Sequence, residues 1–473
     1  MHPNALSRRS FLHQTGVNVG RIALGSLLLG ATPSLRAGDT GGLLAPKQPH
    51  FAPKAKRVIH LFMAGAPSHL DLFDHKPELA KLEGKPLPES VIGGQRFAFI
   101  RSDAAVMGPR FAFKKNGQSG TEIADVLPHL SSISDDICLI RSLKTDQFNH
   151  APAQVFLNTG FAQPGRPSLG SWALYGLGSQ TQELPAYVVM STGAGISGGS
   201  ANWSSGFMPT VLSGVRFRNQ GDPILDTSNP TGVDVALQKD TIDLVGGMNR
   251  ERLDLMGDPE IATRIAQYEM AFKLQTSAPD LMDLKGESKE TLELYGCDPD
   301  KPSFNRACLL ARRMIERGVR FINIYHEGWD AHSDLVGNHK DMCGKTDQGA
   351  AALVKDLKRR GLLDDTLVIW GGEFGRTPMV ESNSALGRSM GRDHHPHAFS
   401  MWMAGGGVKR GITYGATDDL GYQVVQDPVH VHDLQATILH LLGFDHERLT
   451  YHTAGRDFRL TDVHGHVVKG IMA

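Results

Sequence analysis

Short apolar runs alternate with segments of helical periodicity along most of the chain, and this alternation constrains the fold more than any other feature. The apolar runs predict buried strands at 57–63, 137–140, 186–190, 319–325, 366–370 and 400–403. The periodic segments predict helices at 123–133, 151–157, 305–317, 345–360 and 432–442. Helices between short buried strands predict an α/β fold with a mostly parallel, doubly wound sheet.

Length and local composition suggest how this fold is laid out. A chain of 473 residues is long enough for one large domain or two ordinary ones. Residues 232–300 carry charged and apolar residues at helical spacing, so we expect a helical insertion beside the sheet. Residues 38–55 are rich in Gly, Pro and Lys and are predicted as a linker. We therefore predict a single domain over 56–473.

The N-terminus has the pattern of a twin-arginine export signal. Arg8 and Arg9 lie in S-R-R-S-F-L, an apolar stretch over 17–31 follows, and small residues lead to a cleavage site near Ala37. The alternative is an ordinary amphipathic N-terminal helix. The stretch is short and is interrupted by Arg21, and the rest of the chain has no apolar run of spanning length. We expect residues 1–37 to engage the twin-arginine machinery, which would bring the protein to the periplasm or cell surface without a stable membrane span.

Charge and cysteine content exclude several classes of function. The chain has 49 basic and 50 acidic residues and no basic block, which argues against nucleic acid as a partner. Its four cysteines are far apart and form no C-x-x-C pair, which argues against a disulfide framework or a cysteine zinc site. The 21 histidines, many of them after residue 320, direct attention to imidazole chemistry.

The strand pattern also predicts where the site lies, because ligands of doubly wound sheets bind beyond the carboxyl ends of the strands. One such segment is H-E-G-W-D-A-H-S-D at 326–334. Its Asp330 and His332 offer a carboxylate and an imidazole, the ligands that zinc, manganese and iron accept. The alternative is a hydrogen-bonded structural loop.

Two further strand-end segments add candidates from the same half of the chain. In G-G-E-F-G-R-T-P at 371–378, Glu373 is a metal candidate and Arg376 an anion contact; the alternative is an ion pair that closes a turn. G-R-D-H-H-P-H at 391–397 is denser in ligand types than a solvated loop requires. It offers one aspartate and three histidines as metal ligands or as partners that orient a ligand ring: Asp393, His394, His395 and His397.

The last two segments come from the first half of the chain. F-N-H-A-P-A-Q at 148–154 opens a helix, whose N-terminus favours anions, so Asn149 and His150 are expected to face an anionic group. After the first strand, Ser68 is either a nucleophile or the N-cap of a turn, and Asp71 is a further metal candidate. Convergence of all five segments predicts a metal-assisted site for an anionic ester.

Several motifs carry a family resemblance across nearly the whole of the predicted domain. The chain resembles the domain-of-unknown-function family numbered 1501, which belongs with the alkaline-phosphatase-like superfamily of sulfatases, phosphatases and phosphoglycerate mutases. The resemblance implies one α/β/α sandwich. The motifs that carry it are R-R-S-F-L, M-A-G-A-P-S-H-L-D-L-F-D, N-H-A-P-A-Q, G-R-P-S-L-G-S-W, N-W-S-S-G-F, G-W-D-A-H, G-E-F-G-R-T-P, G-R-D-H-H-P, Y-G-A-T-D, H-D-L-Q-A-T-I-L-H-L-L-G and G-R-D-F-R-L-T-D.

Departures from the superfamily pattern alter the expected chemistry. Sulfatases carry a formylglycine precursor in C-x-P-S-R, whereas this chain has H-A-P-A-Q with His150 at the nucleophile position, so formylglycine chemistry is not expected. The D-H or D-N pair of the superfamily aligns with Glu373 and Phe374, and phenylalanine cannot bind metal. The resemblance therefore implies a single ion held by Asp330, His332 and one of the late histidines. These histidines favour zinc, manganese or iron over calcium.

The sequence thus supports a metal-dependent hydrolase of sulfate or phosphate esters, with sulfated or phosphorylated glycans among the substrates. His150 and Arg376 would orient the anion. One alternative is a catalytically silent protein that binds an anionic glycan or a cell-surface partner. Another is a structural member of a cell-surface complex.

Overall fold

The computed structural model describes residues 43–94, 97, 99–101, 103–193, 195–220, 223–224, 232–383 and 386–473. The predicted signal over 1–37 lies outside these residues. Within them, no helix combines the length and the apolarity that crossing a bilayer requires.

Each of the six predicted apolar runs coincides with a strand, and further strands lie between and after them. In chain order they are β1 (Arg57–Ala64), β2 (Phe113–Asn116), β3 (Thr121–Ala124), β4 (Ile137–Lys144), β5 (Tyr187–Ser191), β6 (Val215–Phe217), β7 (Phe321–Glu327), β8 (Thr366–Gly371), β9 (Gly375–Asn383), β10 (Arg388–His395), β11 (Phe399–Ala404), β12 (Ile412–Tyr414), β13 (Ala416–Thr417), β14 (Val424–Gln426), β15 (Val429–His430), β16 (Tyr451–Thr453) and β17 (Arg456–Phe458).

The helices fall between the strands, and residues 232–300 contain three of them in succession. In chain order they are α1 (His69–Leu72), α2 (Pro77–Lys81), α3 (Glu89–Ile92), α4 (Pro128–Ser131), α5 (His150–Thr159), α6 (Leu169–Leu177), α7 (Val235–Met256), α8 (Pro259–Met282), α9 (Lys289–Tyr295), α10 (Phe304–Glu316), α11 (Leu335–Arg359) and α12 (Val431–Leu441).

Nine of the described strands form the central sheet, in the order β12-β4-β11-β8-β1-β7-β5-β6 with β15 beside β4. β1 lies in the middle and pairs in parallel with β7 and β8. β11 runs antiparallel to both of its neighbours, whereas the other pairs in the sheet are parallel. The predicted α/β fold with a mostly parallel, doubly wound sheet is confirmed.

Both faces of the sheet are buried. Side chains alternate along each strand, so every strand contributes to the core on each face. On β1, Ile59 and Leu61 face a core that includes α10 and α11, whereas Val58 and Phe62 face a core with α5, α6 and α12. A sheet covered by helices on both faces is an α/β/α sandwich. Its carboxyl-terminal edge remains available for a site.

The prediction of secondary structure was wrong in three places. Residues 123–133 do not form a helix: the chain pairs there as β3 with β2, and Pro128 then begins the single turn of α4. The helix predicted at 345–360 starts earlier, at Leu335, because the Asp334 side chain accepts a hydrogen bond from the backbone N–H of Gly337. No strands were predicted between β8 and the run at 400–403, where the structure has the antiparallel hairpin β9–β10.

Candidate metal centre

Four side chains meet at the carboxyl-terminal edge of the sheet. His150 is the first residue of α5, a few residues beyond β4. Asp330 and His332 follow β7, and His394 lies on β10 of the hairpin. Because β4 and β7 end at the same edge of the sheet, residues far apart in the sequence are brought together there.

Three of the distances between the ligand atoms are close to those expected around one metal ion. Oδ1 of Asp330 lies 3.1, 3.0 and 3.5 Å from Nε2 of His150, His332 and His394. The four atoms lie within 4.8 Å of one another. Bonds of about 2.0–2.1 Å to a tetrahedral ion give ligand–ligand distances of about 3.3–3.4 Å. In the described part of the chain, the buried Nε2 atoms of His150 and His394 make no hydrogen bond of acceptable geometry, so the donor set fits an ion.

Each histidine ring is held from behind through its other nitrogen. Nδ1 of His150 lies 2.6 Å from Oε1 of Glu373, and Nδ1 of His332 lies 2.5 Å from Oε2 of Glu381. Nδ1 of His394 lies 2.7 Å from the carbonyl oxygen of Phe148. When Nδ1–H donates to these oxygens, the Nε2 lone pair faces the centre, the arrangement found around histidine-bound metals.

Glu373 lies behind His150 and outside the group of four ligand atoms. Its fully buried carboxylate also accepts hydrogen bonds from Nε2 of Gln154 at 3.0 Å and from the backbone N–H of Gly65 at 3.1 Å. The sequence prediction had placed Glu373 at the metal. The geometry gives it the task of orienting His150 instead.

Arg376 is fully buried and each of its guanidinium nitrogens donates to the protein. Nη2 donates to Oδ1 of Asp330 at 2.6 Å and to the carbonyl of Gly65. Nε and Nη1 donate to the carbonyls of Ala66 and Arg392, each at 3.0 Å. The sequence prediction that Arg376 contacts a substrate anion is at odds with this environment, because the side chain is committed to Asp330 and the loop after β1.

Charge coupling in the centre shifts the pKa values in opposite directions. Burial lowers the pKa of His150, but Asp330 and the carboxylate behind the ring outweigh burial and raise the pKa to about 9. The pKa of His332 is raised in the same way. Burial lowers the pKa of His394 to about 4. Burial raises the pKa of Asp330, but the histidines and an arginine lower it overall. A bound cation would take the place of the protons on His150 and His332.

The three late histidines have different environments, and only His394 reaches the group of four. His395 is buried, and its Nε2 lies 2.6 Å from the carbonyl oxygen of Tyr422. The ring of His397 packs against that of His395 at 5.3 Å. Asp393 accepts hydrogen bonds from the backbone N–H groups of Phe99 and His394, so it fixes backbone next to the centre.

The candidates after β1 and before α5 lie apart from the four ligand atoms. Ser68 donates its hydroxyl to Asp71, and Asp71 pairs with Nε of Arg392 at 2.7 Å, all fully buried. Burial raises the pKa of Asp71, but Arg392 lowers it overall. Asn149 is the N-cap residue of α5, and its side chain makes no capping hydrogen bond. The structure therefore brings neither Ser68 nor Asp71 to the proposed ion.

Three residues beside the centre were missed from the sequence. Glu381 lies on β9, eight residues after Glu373, and a hairpin predicted from the S-N-S sequence that follows it would have placed it. Phe99 approaches the rings of His332 and His394 edge-on, at 5.4 and 5.6 Å. Arg388 lies over the Phe99 ring, 4.6 Å from its centroid. No motif marks Phe99 or Arg388, because each contacts the site only through tertiary packing.

Comparison with known proteins assigns the family. A model described as a protein of unknown function (DUF1501) matches residues 55–472. The chain belongs to this family. The resemblance stated from the motifs is thereby confirmed at the family level. No curated protein matches the chain.

Solved structures with similarity to this DUF1501 protein include three named enzymes. The PsFucS1 sulfatase from Pseudoalteromonas sp. is 12% identical, with 83% of this chain and 68% of that chain covered and a TM-score of 0.36. The lipoteichoic acid synthase LtaP from Listeria monocytogenes is 9% identical, with coverages of 90% and 80% and a TM-score of 0.32. The alkaline phosphatase from the Antarctic bacterium TAB5 is 12% identical, with coverages of 83% and 97% and a TM-score of 0.32.

Proposed function

We propose that this DUF1501 protein is a metal-dependent hydrolase that acts on sulfate or phosphate esters. The observation that carries the proposal is the convergence of His150, Asp330, His332 and His394 on one point. Three imidazoles and a carboxylate favour zinc, manganese or iron over calcium. The Asp330 side chain is 42% exposed, so a substrate can reach the centre from solvent.

The surroundings of the histidines favour one ion rather than two. Phe374 is buried and packs against the rings of His150 and His394, with centroids 5.0 and 4.7 Å away. It forms a small apolar cluster with Ala66 and Ala153. An apolar cluster cannot supply the ligands of a second ion.

A second group of ligand-type side chains, His332, Glu381 and Asp393, lies on the other side. Its atoms are engaged with one another and with backbone: Nδ1 of His332 lies 2.5 Å from Oε2 of Glu381, and Asp393 accepts from two backbone N–H groups. We therefore propose a mononuclear centre.

The proposed route of ester hydrolysis follows from which side chains of the centre are already engaged with the protein. A bound divalent ion supplies Lewis acidity, which polarises an ester oxygen or activates a water molecule. Glu373 and Glu381 hold two of the rings, and Arg376 keeps Asp330 ionised and in place. His150 faces acidic partners through both ring nitrogens, which argues against its acting as a nucleophile. Direct attack by water is thus the expected route, without a covalent intermediate on the chain.

The location of the protein belongs to the same proposal. The twin-arginine pattern over 1–37 supports export to the periplasm or cell surface. That route carries folded chains, so the ion would be bound before export. Sulfated or phosphorylated glycans outside the cytoplasm are then the proposed substrates.

Metal analysis and an ester panel test the proposal. Wild-type protein, His332→Ala and His397→Ala are purified from a host that exports them and assayed on aryl and glycan sulfates and phosphates. We expect about one ion per chain, with turnover lost in His332→Ala and retained in His397→Ala, whose ring lies outside the ligand group. Bound metal without turnover would favour the silent binding protein. The metal centre would be contradicted if the wild-type protein held no metal and was no more stable than His332→Ala.

A further inference from the structure

An anionic substrate needs a cationic partner near the ion, and Arg376 is fully occupied by the protein. Arg388, at the start of β10, is in a different situation. Its Nη1 donates to Oε1 of Glu381 at 2.6 Å, and among the described residues no hydrogen bond engages its Nε or Nη2. Its side chain is 24% exposed. Arg388 therefore has donors left for a ligand.

The guanidinium of Arg388 is tied to the centre by two independent contacts. Glu381 joins it to a metal-facing ring, since its other oxygen lies 2.5 Å from Nδ1 of His332. The guanidinium also lies over the Phe99 ring, whose edge meets the rings of His332 and His394. Stacking on an aromatic face restricts the planar group, so its free N–H donors keep a fixed direction.

The backbone around Arg388 is fastened to the loop that carries Asp330 and His332. Ser389 bonds with this loop on both sides: its carbonyl accepts from Asp334 N–H at 3.0 Å and its N–H donates to Ser333 Oγ at 3.3 Å. Close packing at Gly391 strengthens the attachment, because a Cβ there would lie 2.1 Å from the carbonyl carbon of His332. These contacts fasten the backbone of β10 beside Arg388 to the loop that carries Asp330 and His332.

We propose that Arg388 determines specificity by binding the non-bridging oxygens of the sulfate or phosphate group beside the ion. The proposal rests on the metal centre of the proposed function and adds the residue that selects anionic over neutral esters. A guanidinium matches these oxygens with parallel charge-assisted hydrogen bonds. Phe99 acts as a positioning residue, since it touches the guanidinium rather than the anion.

Anion binding to metal-loaded protein tests the proposal apart from turnover. The dissociation constants of inorganic phosphate and sulfate are measured by calorimetry for wild type, Arg388→Gln, Arg388→Lys and Arg410→Gln. Arg410 pairs with Asp364 at the surface and is the matched control. We expect Arg388→Gln to bind both anions about 10- to 100-fold more weakly. Arg388→Lys should be intermediate, because its ammonium cannot bind in the bidentate manner, and Arg410→Gln should equal wild type.

Metal content, measured on the same samples, separates the two proposals. We expect every variant to retain the metal of the wild type. Arg388→Gln or Arg388→Lys with wild-type affinity for both anions would overturn the role of Arg388. Metal-saturated wild type that binds neither anion would also overturn this role. Loss of the ion in Arg388→Gln would overturn it too, because Arg388 would then only support Glu381. Wild type that never holds metal would instead overturn the proposed function.

Discussion

Replacing Glu373 by glutamine tests the metal centre with little change in shape. In the wild type, Oε1 accepts from His150, Gln154 and Gly65, whereas among the residues that the structure describes Oε2 has only the 3.4 Å contact with Gly65 N–H. A glutamine oxygen in the place of Oε1 keeps the three acceptor contacts. The substitution therefore removes one negative charge behind His150 and keeps these acceptor contacts, while a buried NH2 group takes the place of Oε2 next to the Gly65 N–H.

The expected loss is one of metal affinity. Removal of a carboxylate that orients a metal-bound histidine costs about 10- to 100-fold in affinity, or about 1.4–2.7 kcal/mol. At a free metal concentration of about 100 times the wild-type Kd, the ion stabilises the wild type by about 2.7 kcal/mol. With about 30-fold weaker binding, the same concentration stabilises Glu373→Gln by only about 0.9 kcal/mol. Glu373→Ala would instead leave three buried N–H groups unpaired, at about 1–3 kcal/mol each.

The assay is a competition titration against a chromophoric chelator, with unfolding by urea measured at the same metal concentrations. Urea unfolding without metal serves as the control for folding. Glu373→Gln should be less stable there, because protonated His150 loses its carboxylate partner, but it should still unfold in one cooperative transition. Equal metal affinity in two equally folded proteins would refute the reasoning, because the carboxylate would then have no influence on a ligand. His150 would in that case lie outside the coordination sphere.

Three further outcomes follow from the contacts around the centre. Asp71→Asn should lower the free energy of unfolding by about 3–5 kcal/mol at neutral pH, because it leaves Arg392 buried without its ion-pair partner. Arg392 holds the pKa of Asp71 below the ordinary 3.8, so in urea unfolding the wild-type advantage should persist above that pH and shrink as the pH falls below it. Ser68→Ala should leave kcat on the best ester unchanged, whereas loss of turnover would make Ser68 a nucleophile. Phe374→Ala should cost about 3–5 kcal/mol in urea unfolding, and an unchanged stability would contradict its packing against two of the histidines.

Much of the fold could be predicted because burial acts locally on the sequence. β1, β7 and β8 lie at the middle of the sheet and are covered on both faces, so they appear as mainly apolar runs such as T-L-V-I-W. The hairpin β9–β10 gives no such signal. Its outer half is exposed while its inner half is buried by the site, and side chains such as Arg376, Arg392 and His394 replace the usual apolar pattern.

The residues of the candidate site could also be predicted only in part. The sequence indicated Asp330 and His332 because they follow a strand directly, and the geometry of a parallel sheet brings strand ends together. It indicated His150 as an anion contact at the start of a helix, whereas the structure places this ring among the ligand-type atoms. The sequence could not choose among the three late histidines. Successive residues of a strand point to opposite faces, so His394 approaches Asp330 in the candidate centre while His395 turns towards Tyr422.

The sequence by itself determined the fold class, the family and the edge of the sheet at which the ligand-type residues gather. These properties depend on hydrophobic period and motif, which are local. Only the tertiary structure decided that Arg376 holds Asp330 rather than a substrate, and that Nε and Nη2 of Arg388 have no hydrogen-bond acceptor among the described residues. Whether the N–H donors of an arginine bind the protein or a ligand depends on how many carbonyl and carboxylate oxygens surround it after folding. Those oxygens come from segments hundreds of residues apart.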